Sequence, residues 1–205
     1  MSKPSCGKGR PLIIGLAAST RRGGNSDTLL RAALGSAEAQ GAKTETIILS
    51  ALSVAACIGC QQCQSTGECV LADDFQSVRD RLLEADAVIL GTPAYFWGFP
   101  SPAKAFIDRN QSTGARKALA KKRGASVRPD AGTALGVLLA VAADPVSRFA
   151  GLKQTAEALF RAYEIDLWDE LLVTGLFEPG EAGKSEAFLE KARTLGARLV
   201  DAIVA

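Results

Sequence analysis

The chain has 205 residues, with 24 basic and 22 acidic side chains, 47% hydrophobic residues and no histidine. Its size suits one domain, and its composition excludes a disordered, collagen-like or coiled-coil chain. The net charge of +2 argues against a dedicated nucleic-acid binder, and the missing histidine excludes Ser-His-Asp and Cys-His catalysis and every His-ligated metal site.

Residues 1–10 are polar and glycine-bearing, and are expected as a flexible tail ahead of a single domain over 11–205. Apolar runs then alternate with helical patterns. Residues 12–18 read as a buried strand. Residues 25–40 read as a helix with Leu29, Leu30, Ala33, Leu34 and Ala37 on one face. Residues 43–49 form a second strand. Asp73 and Asp74 can start a helix with Phe75, Val78 and Leu82 as its apolar stripe. Residues 87–91 read as a third strand, and another helix begins over 102–109. Residues 111–132 read as irregular and carry Arg116, Lys117, Lys121, Lys122, Arg123 and Arg128. Residues 135–142 form a central strand, 149–163 a helix, 167–174 a fifth strand and 185–204 a closing helix. Strands alternating with helices imply an α/β fold in three layers: a five-stranded parallel sheet, doubly wound in the flavodoxin-like order 2-1-3-4-5.

The longest apolar run, residues 134–143, is half the ~20 residues a spanning helix needs. Lys8, Arg10 and the apolar residues 12–18 imitate a signal peptide, but the run ends in a loop that the fold explains better. A reducing, cytoplasmic location is expected, in which clustered cysteines mean metal or redox chemistry before disulfides.

Ligands in such sheets bind at strand carboxyl ends. Residues 18–26 join the first strand to a helix N-terminus, where free N–H groups and the dipole favour an anion. Ser19, Asn25 and Ser26 offer neutral donors, Arg21 adds charge, and Gly23 and Gly24 let the backbone curve. The loop is neither G-x-G-x-x-G nor a P-loop, and it reads equally as a well-capped polar turn. Residues 91–100 leave the third strand, with Tyr95, Phe96, Trp97 and Phe99 packed into five positions of a chain that is 6% aromatic. They suit a planar ring such as an isoalloxazine, stiffened by Pro93, or an oligomer contact.

These loops resemble those of the NADPH-dependent FMN reductase family. Residues 19–26 resemble its G-S-P-R-x-x-G-N-[ST] phosphate loop, with Ala18 and Thr20 in place of the usual Gly and Pro. Residues 95–98 and 104–109 resemble its P-x-Y-[FW] and K-x-F-[IL]-D-R segments. The resemblance covers residues 12–109 and implies an FMN-dependent oxidoreductase. The FMN phosphate is expected on Ser19, Arg21, Asn25 and Ser26, and the flavin against Pro93, Tyr95, Phe96, Trp97 and Gly98. Lys104 and Asp108 are expected to shape their helix. Residues 142–148 stand where the family has a third, glycine-rich flavin loop, and the resemblance carries no contacts from them.

Four of the five cysteines fall within thirteen residues, as Cys57-x2-Cys60-x2-Cys63-x5-Cys69. Overlapping three-residue steps suit the thiolate ligands of a [4Fe–4S] cluster better than the separated knuckles of structural zinc. Zinc, a regulatory disulfide or free thiols remain the alternatives, and Cys6 is expected to be incidental. The spacing resembles that of the iron–sulfur flavoprotein branch. That resemblance implies FMN and a [4Fe–4S] cluster in a homodimer or homotetramer, passing electrons between ferredoxin and dioxygen, peroxide or quinones. No side chain is assigned a catalytic role, and neither nucleic acid nor membrane is an expected partner. Two alternatives stay open: an NAD(P)H-dependent FMN or quinone reductase without a cluster, and a zinc-stabilised, non-enzymatic interaction module. The basic stretch 116–128 reads either as a docking surface for an acidic ferredoxin or as a solvated loop.

Overall fold

The computed structural model describes residues 9–128 and 133–205. Residues 1–8 of the tail expected over 1–10, with Cys6, lie outside the described residues. Five strands, β1 (Leu12–Ala17), β2 (Lys43–Ile48), β3 (Ala87–Pro93), β4 (Ala134–Val141) and β5 (Ile165–Val173), form one sheet. Every pairing is parallel, and the order is β2-β1-β3-β4-β5, as the alternation predicts. A strand covered on both faces has no use for polar residues, so the three central strands are almost continuously apolar. Ile13, Ile14 and Leu16 of β1 and Val137, Leu138 and Leu139 of β4 are completely buried. Each such side chain contributes about 1.5–3 kcal/mol. The edge strands keep their polar residues: Lys43, Thr44 and Glu45 on β2, Asp166, Asp169 and Glu170 on β5.

The alternation of side chains along β1 and β3 divides the core. Ile13 and Ile89 join α1 (Asn25–Ala39) and α8 (Glu186–Val204) on one face. Ile14, Leu16, Val88 and Leu90 join α3 (Phe75–Glu84), α4 (Ser101–Arg109) and α6 (Ala150–Ala162) on the other. The α1–α8 contact is tight at Gly196, where a Cβ would lie 2.0 Å from the Ala33 carbonyl oxygen. Two one-turn helices, α2 (Cys63–Thr66) and α7 (Glu181–Lys184), sit in loops.

The segment read as irregular contains a helix, α5 (Gln111–Lys122), which follows α4 after a break at Asn110. Its buried face is Ser112, Thr113 and Ala115. Small polar residues make no apolar stripe, so periodicity could not find it. The basic stretch is also divided. Arg116 pairs with Glu68, and Lys117 Nζ donates to the Arg161 carbonyl oxygen. Arg128 is buried and donates to the carbonyl oxygens of Leu82 and Ala85 at the end of α3, a cationic C-cap. Lys121, Lys122 and Arg123 remain exposed. Residues 129–132, the end of the segment read as irregular, lie outside the described residues.

Candidate functional site

The carboxyl ends of β1, β3, β4 and β5 open into one cavity of about 600 Å³, the size of a small-cofactor site. It lies at the switch between β1 and β3, where this strand order places its ligand. The loop after β1 forms one side. The Ser19 hydroxyl accepts the Arg21 N–H at 3.0 Å and donates to the Arg21 carbonyl oxygen at 3.1 Å, which curls the chain towards α1. No side chain caps α1, whose N-cap is Gly24. Its first-turn N–H groups and its dipole therefore remain available to an anion. Ser26 is buried at the lining, and Arg21 stands exposed beside it. Asn25 also lines the cavity, but its side chain is engaged. Nδ2 donates to the Glu178 carbonyl oxygen at 2.9 Å and Oδ1 accepts the Ala182 N–H at 3.0 Å. It ties the loop after β5 to α1, and it offers an anion its backbone rather than its amide.

The aromatic segment forms the other side as a tight hairpin. Tyr95 and Gly98 exchange two backbone hydrogen bonds of 2.9 Å, and Phe96 and Trp97 between them have φ of +48° and +58°. This is the pattern of a type I′ turn, which ordinarily takes Asn-Gly. Two aromatic residues held there carry strain of about 1–3 kcal/mol each, and Phe96 is nonetheless fully exposed. Pro93, Tyr95 and Phe96 line the cavity; Trp97 and Gly98 do not. Trp97 instead lies under the Arg148 guanidinium, 4.2 Å from its carbon, and Gly98 closes the turn. Lys104 and Asp108 form an i,i+4 ion pair of 2.7 Å, so they do shape α4.

Sequence reasoning missed two walls. Val141, at the end of β4, lines the cavity with residues 142–144, from the stretch to which the resemblance carries no contacts, as do Leu176 to Pro179 after β5. Their signal was position. Each follows a strand's carboxyl end, and the second is bracketed by Gly175 and Gly180. An uncapped helix N-terminus on one side and exposed aromatic rings on the other fit a phosphate-bearing planar ring, so the residues present suit FMN.

The cysteine segment is a second site, between β2 and α3. Left-handed residues at Gly59, Gln61 and Gly67 coil it, and a Cβ on Gly67 would lie 3.1 Å from the Arg116 Cα. Cys57, Cys60, Cys63 and Cys69 all line one small hollow of about 30 Å³. Cys57 and Cys60 are exposed, Cys63 and Cys69 half-buried, and no two of the four form a disulfide. Burial pushes the Cys63 thiol above its ordinary value, and Cys60, Cys69 and Cys57 add to it. Among the described residues no group of three or more Cys, Asp or Glu is gathered around a single ion position. Four thiolates on one zinc lie only about 3.8 Å apart, from a Zn–S bond near 2.3 Å. A multi-iron cluster, with one iron per thiolate, spreads them further. An all-thiol donor set on one hollow suits a zinc ion and an iron–sulfur cluster alike.

Arginines hold this segment. Glu68 pairs with Arg79, which is buried on α3, and with Arg116 on α5. Asp73 accepts the Ala55 and Phe75 N–H groups at 3.0 Å each and the Arg109 guanidinium at 2.7 and 3.2 Å. Burial alone would raise the Asp73 carboxyl, but Arg109 and the two backbone donors hold it below its ordinary value. Arg109 stands in the K-x-F-[IL]-D-R-like segment, but nothing in the spacing linked it to the cysteines.

Comparison with known proteins completes the site. The family model for NADPH-dependent FMN reductase matches residues 11–150. An iron–sulfur flavoprotein of Methanocaldococcus jannaschii is 29% identical over 204 residues, covering 93% of this chain and 96% of that protein. One from Archaeoglobus fulgidus is 37% identical over 114 residues, 56% of this chain and 52% of its own. In fold, the chain is like the NAD(P)H:quinone oxidoreductase of Methanothermobacter marburgensis. The TM-score is 0.66 at 18% identity, over 94% of this chain and all of that one. Family membership removes the reading of the chain as a non-enzymatic interaction module. With its cavity at the β1/β3 switch and its family match over residues 11–150, the chain belongs to the NADPH-dependent FMN reductase family, stands within it beside the iron–sulfur flavoproteins, and is an FMN-dependent oxidoreductase.

Proposed function

We propose that this protein is an iron–sulfur flavoprotein that passes electrons between a one-electron carrier such as ferredoxin and small acceptors such as dioxygen, peroxide or quinones. The observation that carries the reading is the meeting of Cys57, Cys60, Cys63 and Cys69 on one hollow, with no Asp or Glu among its lining residues. These four would hold a [4Fe–4S] cluster. The N-terminus of α1, with Ser19, Arg21, Asn25 and Ser26, would bind the FMN phosphate. Pro93, Tyr95 and Phe96 would bracket the ring, while Trp97 and Gly98 hold the turn that presents them. FMN exchanges electrons singly or in pairs and a cluster singly, so the two together convert between the two kinds of partner. The chain's own residues bind, orient and exclude water; no side chain has to move a proton, in keeping with the absence of histidine.

The reading includes one domain over residues 11–205 and a reducing cytoplasm. Among the described residues, no helix is long and apolar enough to cross a membrane. Ile58 and Val70, exposed beside the cysteines, support assembly as a homodimer or homotetramer. The test is anaerobic purification followed by assay of FMN, iron, zinc and acid-labile sulfide. FMN with about four irons and four sulfides per chain supports the proposal; flavin without iron or sulfide overturns the cluster. A second reading, an NAD(P)H-dependent FMN or quinone reductase without a cluster, is favoured by the fully exposed ring of Phe96 at the cavity mouth, where a nicotinamide can approach. Anaerobic bleaching of the flavin band by NADPH in iron-free protein selects it.

A further inference from the structure

Arg109 is the last residue of α4, and its side chain is completely buried. Its hydrogen bonds all go to the cysteine segment. Nη1 donates to the Ala55 carbonyl oxygen at 3.1 Å, ahead of Cys57. Nη2 donates to the Leu71 carbonyl oxygen at 2.9 Å, beyond Cys69. Both nitrogens grip Asp73, and the Phe75 ring lies 4.9 Å beneath the guanidinium carbon. One polar atom is left over: Nε is buried and has no hydrogen-bond partner. Arg109 lines the hollow that the four cysteines share.

Burying a guanidinium costs several kcal/mol, recovered only when its charge and its donors are satisfied. One carboxylate supplies one charge, and the backbone carbonyls take two donors. The unused donor belongs to a cation that borders four thiols. Four thiolates outweigh the positive charge of either an iron–sulfur core or a zinc ion, so the centre they form with it is an anion. We propose that Arg109 is the positioning residue of the cysteine centre: it clamps both ends of the 57–69 loop and sets its buried cationic edge against the anionic centre that Cys57, Cys60, Cys63 and Cys69 form with the group they hold. The inference rests on the proposed reading that these cysteines hold such a group. In a cluster, reduction adds one electron, supplied here by dithionite, and one more negative charge, with no bond or proton moved. A fixed cation beside it favours the reduced form.

The experiment is an anaerobic dithionite titration, followed by electron paramagnetic resonance, of wild type and of the Arg109→Gln, Arg109→Lys and Asp73→Asn variants. Iron, sulfide and the urea midpoint are measured on each. Arg109→Gln is expected to shift the reduction equilibrium at least tenfold towards the oxidised form, about 59 mV for one electron. Arg109→Lys recovers most of that shift, although it lowers the urea midpoint as much. Asp73→Asn keeps Arg109 and removes its counter-charge, so it moves the potential the other way, and it serves even where Arg109→Gln fails to fold. Potentials unchanged in the variants, with only the urea midpoint reduced, overturn the inference while leaving the cluster standing. Wild type without iron or sulfide overturns the cluster instead. The same series is then read by the thiolate-to-metal absorption of bound Co²⁺: a tenfold loss of affinity in Arg109→Gln, restored by lysine, sustains the positioning role, and equal affinities or no band in wild type overturn it.

Discussion

At the 600 Å³ cavity, one side is the uncapped start of α1, which offers backbone N–H groups, and the other is a hairpin that presents aromatic rings fixed by their turn. At the cysteine loop, what faces a ligand is side chains. Four thiols meet there, over two ion-paired arginines that reach in from α3 and α4. A backbone site spreads its binding over donors that no single substitution deletes. A side-chain site concentrates it, so individual replacements are severe. The proposed FMN cavity should therefore degrade gradually under mutation and the cysteine loop abruptly.

The largest expected effect tests the abrupt side. Cys60→Ser removes one thiolate from a set of four and should abolish iron and sulfide while leaving FMN per chain unchanged; retention of the metal would break the contrast. Next comes the ion pair beneath the loop. Asp73→Ala leaves Arg109 buried without its counter-charge and should cost about 3–5 kcal/mol in urea unfolding. The same pair predicts a pH dependence. Because the folded carboxyl lies below its ordinary value of 3.8, its contribution is complete above that value and is lost as pH falls through the folded one. Wild type and Asp73→Ala should accordingly converge in stability below about pH 3.8, measured on apoprotein by chemical unfolding. On the gradual side, Arg21→Ala removes one exposed cation from the proposed phosphate site, which is otherwise built largely of backbone. FMN affinity, by fluorescence quenching, should fall about tenfold, near 1.4 kcal/mol. A total loss would show that the anion is held by that side chain after all. The smallest effect is expected at Lys104→Ala, whose exposed pair with Asp108 is worth about 0.3–0.5 kcal/mol, with FMN binding untouched.

Much of the cavity was legible because its signals are local. The turn-and-cap pattern of residues 18–26 and the aromatic run 95–99 each announce themselves within one stretch. The spacing of the cysteines does the same. What escaped is non-local. Asn25 reads as a phosphate donor, yet its amide is taken by Glu178 and Ala182, which lie more than 150 positions away. Trp97 reads as a flavin contact, yet the turn points it to Arg148. Helix α5 escaped because its buried face is Ser112, Thr113 and Ala115, packed too closely to need large apolar groups.

By itself the sequence determined the strand order, the two faces of the core, the family and the residue types brought to each site. Those follow from patterns with periods of two or 3.6 residues and from motifs read within a few positions. Only the tertiary structure decided which strand ends share a cavity, and that residues 141–144 and 176–179 complete it. It alone sent Arg109, 36 residues downstream of Asp73, beneath the cysteines. A buried charge must find its partner in space, and no periodicity records where the chain will bring the two together.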